Sequence, residues 1–238
     1  MRTRIPDDTT GEQRARASVE RIKADLHIHT CYSVDSLMSL DEVIQAAMAR
    51  GLGALAITDH DAIEGALALS RMAPFRVIVG EEIDTGEGEI IGLFLQEFIP
   101  PKLNPAQTIA RIREQGGLVY IPHPFDTRRY PLQESILLAL LHEVDAIEVL
   151  NARVMLPVYN KRAARFARKH GLPGGAGSDA HTPVEIGRAY VEMEPFTGKE
   201  GFLRSLAQAK VGGSVSAPHV HLFSSWAKMQ KRGGVSHE

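Results

Sequence analysis

Seven apolar runs of strand length recur along the chain: ADLHIH, GALAITD, RVIVG, IIGLFL, GLVYI, VDAIEVL and GRAYVEM. Because they are apolar almost without a break, they read as strands covered on both faces, as in a parallel sheet packed under helices. Several are separated by stretches of helical period with marked ends. Ser39 and Glu42 form a capping box before a stripe of Leu40, Val43, Ile44, Ala47 and Met48, and Gly51 stops it. Asn104 and Pro105 open a second helix that Gly116 and Gly117 close. A third runs through LPVYNKRAARFARKHG, and Thr197 with Glu200 predicts a capping box on a fourth. This alternation leaves two architectures, an α/β barrel or a doubly wound sheet.

Length and charge narrow the function classes. The 238 residues lie within the roughly 200–250 that one α/β barrel occupies as a single domain. A formal charge of −2 gives no global basic footprint, so no stable nucleic-acid partner is expected. One cysteine, Cys31, excludes an intrachain disulfide framework and reads as a small buried hydrophobe. The opening MRTRIPDDTTGEQRARASVERIK lacks the apolar core of a signal peptide. No segment approaches the roughly 18 apolar residues of a membrane span. A cytoplasmic location is the expectation. Residues 1–22 read as a polar extension, and Leu222, Phe223 and Trp226 as the residues that pack the C-terminal tail onto the domain.

Histidines and carboxylates gather where the strands end. In ADLHIHTCYSVDS, His27 and His29 are two apart on a strand, which places them on one face about 6.5–7 Å apart. ITDHDAIEG puts Asp59, His60 and Asp61 after an apolar run, where either aspartate could cap the following helix. VGEEIDTGEGEIIGLFL reads as an acidic hairpin carrying Glu81, Glu82, Asp84, Glu87 and Glu89. YIPHPFDTRRY holds His123 between prolines, ahead of Asp126, Arg128 and Arg129. In GGAGSDAHTP, Asp179 and His181 repeat the two-residue spacing. Each cluster alone has a bland reading, a core histidine with its hydrogen-bond partner or a solvated acid. Together they match the way barrel enzymes build their sites at the C-terminal ends of strands. Imidazole and carboxylate without thiolate suit Zn, Mn or Fe, and the supply of donors suggests two or three divalent ions.

In this order, DLHIHTCYSVDS, ITDHD, GEEI, IPHPFD and GSDAH resemble the motifs of the PHP (polymerase and histidinol phosphatase) family. EIGRAYVEM and HLFSSWAK are similar to the C-terminal segment of small stand-alone PHP phosphoesterases. The resemblance implies a distorted (β/α)7 TIM-like barrel over residues 23–186, completed by a PHP-associated segment over 187–238. It also implies the ligands. His27, His29, Glu82 and Asp179 would hold one metal, Glu82 and His123 a second, and Asp35, His60 and His181 a third. Glu89 stands where many members have a histidine, and is expected to ligate at the second metal. Asp25 is expected to orient a histidine from behind, with Glu148 and Asn151 as further supporting groups.

The implied activity is that of a metal-dependent phosphoesterase. Its substrate would be a small phosphorylated molecule, a nucleotide or sugar phosphate, attacked at phosphorus by metal-bound hydroxide. His123 and His181 are candidates for the leaving-group proton, and Arg128, Arg129 and Arg153 for forked contacts to phosphate. The basic helix NKRAARFARKHG reads as a solvated face. Three rival functions use a similar barrel. One is an oligonucleotide-trimming nuclease. Another is a non-catalytic, metal-stabilised binding module, which predicts lost ligands. The third is an amidohydrolase, against which the lack of a carboxylatable lysine at a strand end counts.

Overall fold

The computed structural model describes residues 20–217 and 219–233. The extension expected over residues 1–22 therefore lies outside them, except for its last three residues. In chain order the elements are β1 (Ile22–Ile28), α1 (Leu40–Ala49), β2 (Leu52–Ile57), α2 (Glu64–Met72), β3 (Arg76–Asp84) and β4 (Glu89–Leu93). They continue with α3 (Pro105–Glu114), β5 (Leu118–Ile121), α4 (Glu134–Ala139), β6 (Ala146–Asn151), α5 (Pro157–His170) and β7 (Gly174–Gly177). β8 (Ala189–Met193), α6 (Gly198–Leu206), β9 (Lys210–Gly213) and α7 (Val220–Gly233) complete the fold.

The nine strands form one sheet in the order β7-β6-β5-β4-β3-β2-β1-β8-β9. Just beyond β7 the chain returns to β1: Ile28 bridges Ala180 in parallel, and Asp179 N–H donates to the His27 carbonyl at 2.7 Å. The sheet is thereby nearly closed into a barrel. Four neighbouring pairs are parallel, β1–β2, β2–β3, β5–β6 and β6–β7. The distortion lies at β4, which is antiparallel to both β3 and β5. Its cause is the short acidic hairpin, closed by Thr85 N–H donating to the Gly88 carbonyl, because a connection that short reverses the strand. β8 and β9 are antiparallel additions beside β1.

The helix starts at Ser39 and Asn104 are both complete capping boxes, with Glu42 and Gln107 returning the hydrogen bond. The box expected at Thr197 is absent. No side-chain bond caps α6, and Gly198 enters it at φ +65°, a path that the box geometry does not fit. The tail also docks differently from the expectation. α7 buries Val220 and Ala227, while Leu222, Phe223 and Trp226 face outward at 71%, 50% and 50% exposure. The cause is that polar contacts seat the helix, as described below, and these select the opposite face.

β7 has the sequence GGAG and so carries no apolar run to mark it as a strand. Its glycines make room for the residues behind them. A Cβ on Gly177 would lie 2.3 Å from the His27 Cβ and 2.8 Å from Glu148 Oε1, and one on Gly175 would lie 2.5 Å from the Tyr120 hydroxyl. The His27 Cβ cannot move aside without moving β1. Gly177→Ala is therefore expected to cost at least about 2 kcal/mol, roughly 4–8 °C in Tm for a chain of this size. An unchanged melting curve would show that β7 and β1 are not packed this closely.

Candidate metal centre

β1 carries His27 and His29 on one face, fully buried, with their Nε2 atoms 3.1 Å apart. Two imidazole nitrogens this close share at most one proton, so lone pairs converge. The other expected donors arrive from neighbouring strand ends and loops. Four overlapping groups have donor atoms within 4.8 Å of one another: His29, Asp35, His60 and His181; His27, His29 and Asp179; His27, Glu82 and His123; His60, Glu82 and Glu89. Their shared members join all nine expected donors into one cluster. Glu82 lies at its centre. Its oxygens are 2.9 Å from His123 Nε2, 3.2 Å from His27 Nε2, and 3.3 Å from both His29 Nε2 and His60 Nδ1.

The backbone is bent to bring these groups in. His123 and Asp179 hold φ of +26° and +53°, a region costly for residues with a Cβ and one that collects at functional sites. Behind the cluster, Glu148 fixes His27 through Nδ1 at 3.2 Å, and takes the His123 N–H at 2.7 Å and the Asn151 amide at 3.0 Å. Asn151 also donates to Asp179 Oδ2 at 3.0 Å. Asp25 does not orient an imidazole. Its carboxylate instead takes the backbone N–H groups of Ser178 and Gly187, both at 2.8 Å, and so ties the closing seam of the barrel. Neither Asp59 nor Asp61 caps α2, whose N-terminus has no side-chain cap. Asp59 clasps Thr30 through its N–H and hydroxyl, and Asp61 takes the Asp84 N–H. Cys31 is exposed, not buried, because it lies on the turn after β1, outside the cluster.

The charges show how strongly these groups act on one another. Burial drives His29 down to about 3, and His181 adds to the effect. His60 goes the other way, to about 10: burial opposes its charge, but Glu82 and Asp35 outweigh it. Burial likewise opposes the charges of Glu82 and Asp179, yet both stay well below the usual carboxylate range. His27 and His60 hold the first there, and Arg129 and His27 the second. Burial and the nearby Glu82 push Glu89 up to about 7. Asp179 Oδ1 is buried without a hydrogen bond among the described residues, 3.4 Å from His29 Nε2 and 3.9 Å from His27 Nε2. Oxygen and nitrogen lone pairs turned toward a common point, with no thiolate among them, fit Zn, Mn or Fe.

Above the cluster lies a cleft of about 620 Å³, walled in part by Asp35, His60, Glu89 and His181. Arg128 and Arg129 line it, and Arg129 Nη1 lies 2.5 Å from Asp179 Oδ2. Arg153 also borders the cleft, but its guanidinium is already engaged. It faces Glu185 at 3.3 Å and donates to the Val220 carbonyl and Ser224 hydroxyl. Of His123 and His181, only His181 lines the cleft. Sequence reasoning missed Ser33, whose hydroxyl donates to Asp35 at 2.9 Å, and the α7 residues His221, Ser224, Ser225 and Lys228. A serine in a turn gives no signal. The two lysines at 228 and 231, three apart on an amphipathic tail, were the available clue.

The family model described as PHP domain matches residues 25–123, and the one described as PHP-associated matches residues 157–211. An uncharacterized protein of Methanocaldococcus jannaschii, MJ1587, is 40% identical over 144 residues, which cover 55% of this chain and 82% of that one. A second from the same organism, MJ0417, is 37% identical over 176 residues, covering 72% and 70%. Among solved structures, the fold is shared with a two-domain Bacteroides vulgatus protein containing a predicted PHP-like metal-dependent phosphoesterase. The TM-score is 0.66 at 16% identity, over 87% of this chain and 70% of that one.

Proposed function

The chain belongs to the PHP family, and from that membership and the geometry of its cleft we propose that it hydrolyses a small phosphorylated substrate, a nucleotide or sugar phosphate. The observation that carries this reading is the convergence of five imidazoles and four carboxylates into one cluster beneath a cleft edged by Arg128 and Arg129. His27, His29, Glu82 and Asp179 would hold one divalent ion. Glu82, His123 and Glu89 would hold a second, and Asp35, His60 and His181 a third. Such ions, when bound, supply Lewis acidity toward phosphoryl oxygens and acidify water.

The chain's own groups do the rest. Glu148 and Asn151 keep His27 and Asp179 in their orientation. Arg129 presents a forked donor beside Asp179, where the phosphoryl oxygens would lie. His181 donates Nδ1–H to the Asp179 carbonyl at 2.8 Å, which turns Nε2 toward the cleft. That atom would carry the leaving-group proton if the Asp35, His60 and His181 group holds no ion. His123, beneath the floor, is left with the ligand role.

The test is elemental analysis of purified protein, followed by a phosphate-release panel with added Mn, Zn or Fe. At least one metal per chain and phosphate release from a nucleotide or sugar phosphate are expected. Less than one metal per chain with no release from any ester would sink the proposal. Cleavage of a short oligonucleotide without release from mononucleotides would replace it with the nuclease reading.

A further inference from the structure

α7 is attached to the barrel at both ends by polar clasps, and each clasp ends on a loop that carries donors of the cluster. At its start, buried Arg153 donates to the Val220 carbonyl at 3.0 Å and the Ser224 hydroxyl at 2.9 Å. The Arg153 guanidinium faces Glu185, whose Oε2 takes the His181 N–H at 3.2 Å and the Thr182 hydroxyl at 2.9 Å. Towards its end, Lys231 Nζ donates to the Cys31 carbonyl at 2.6 Å and to the Ser33 carbonyl. Both carbonyls belong to the loop that presents Asp35. The helix is thus strapped across the cleft, and its inner side forms a wall of it.

On that wall Lys228 points its Nζ to within 3.3 Å of Asp35 Oδ2, with its side chain 48% exposed. Asp35 is already faced by His181 Nε2 at 3.1 Å and His60 Nε2 at 3.5 Å, so it does not need a lysine to offset its charge. Arg129, which lines the same cleft, stands against a second carboxylate of the cluster, Asp179. Two cations therefore flank the donors, one from a barrel loop and one from the C-terminal helix. Between them the cleft leaves room for an anion. Lysine, a compact charge on a flexible stem, can swing from Asp35 to such an anion without moving the helix.

We propose that Lys228 contacts the substrate phosphate, so that α7 completes the site that the barrel begins. This rests on the phosphoesterase reading above and adds a residue that lies beyond both matched segments of the chain. The serines and His221 beside it then face the remainder of the substrate and set which leaving groups fit.

The experiment uses full-length, metal-loaded protein and inorganic phosphate as the probe, with binding measured by calorimetry and KM and kcat taken on any ester the wild type hydrolyses. Lys228→Met is expected to weaken phosphate binding about 10–100-fold, the worth of one charge-assisted hydrogen bond, and to raise KM similarly. kcat should stay within about threefold and metal content should be unchanged. Lys228→Arg should recover most of the phosphate affinity. Met229→Ser, on the outer face of the same helix at 65% exposure, should leave all these values at wild type and so separates a contact from a general effect on α7. Unchanged phosphate binding in Lys228→Met would overturn the proposal. So would loss of metal from that variant, which would make Lys228 a support for Asp35, or absence of phosphate binding by the wild type. Phosphate binding that depends on Lys228 in a protein that hydrolyses no ester would leave this inference standing and remove the activity.

Discussion

Asp179→Asn is expected to lower turnover more than about 100-fold and to remove at least one metal per chain while the barrel stays folded. The lower bound follows from the outer partners of metal ligands, whose loss alone costs about 10–100-fold. Asparagine is the informative replacement. Asp179 sits at φ +53°, and asparagine tolerates that region better than alanine, so the backbone is kept while the charge is lost. The amide can no longer offer a charged oxygen toward His29 and His27, and Arg129 loses its ion partner. Glu148→Gln is the companion variant. It touches His27 and the His123 N–H from behind, so its effect should fall inside the 10–100-fold range with metal still bound. Metal content is measured by elemental analysis, folding by circular dichroism and rate by phosphate release. An Asp179→Asn protein with wild-type rate and full metal would show that the ligands were assigned wrongly.

Removing metal is expected to lower the melting temperature by about 8–16 °C. An ion present at about a thousand times its Kd stabilises the folded state by about 4 kcal/mol, and each kcal/mol is worth about 2–4 °C in a chain of this size. The effect should depend on pH, with a sign that the cluster fixes. A ligating imidazole must be neutral, whereas His60 in the metal-free cluster titrates at about 10. Protons therefore compete with metal throughout the neutral range. Each proton displaced weakens apparent affinity about tenfold per unit fall in pH, close to 1.4 kcal/mol. Below about 7, protonation of Glu89 adds a second competing proton. The stabilisation by metal should accordingly shrink as pH falls from 8 to 6. Thermal melts with and without chelator at three pH values read it directly. A gap that is constant or grows toward pH 6 would mean that His60 and Glu89 are not ligands.

Much of this site could be read from the sequence because strand ends write their chemistry in local motifs. His27 with His29 announces a shared strand face by its spacing, and Asp179 with His181 marks a second pair of donors just beyond β7. What escaped has physical causes. β7 has no apolar side chains to recognise, because its glycines exist to let Tyr120, His27 and Glu148 approach. The acidic hairpin announced the reversal of β4, but not that β4 stays in the barrel wall and pairs antiparallel with β5 as well. Arg153 has the same sequence signature as a phosphate-binding arginine, and only its contacts with Glu185 and α7 show where its hydrogen bonds go. α7 was misoriented because its large apolar residues pointed to burial, whereas Arg153 and Lys231 clamp the other face inward.

The bridge between Ile28 and Ala180 joins two parts of the chain separated by about 150 residues, and the donor atoms lie on both sides of it. Loop closure over such a span is the slowest kind of contact for a folding chain to make. During synthesis His27 and His29 leave the ribosome long before Asp179 and His181. Until the seam forms, His27 and His29 lack Asp179 and His181 beside them, and any ion they held would have fewer ligands. If the proposed ions bind, full occupancy would then mark a finished chain, and metal content would measure how many molecules in a preparation have completed folding.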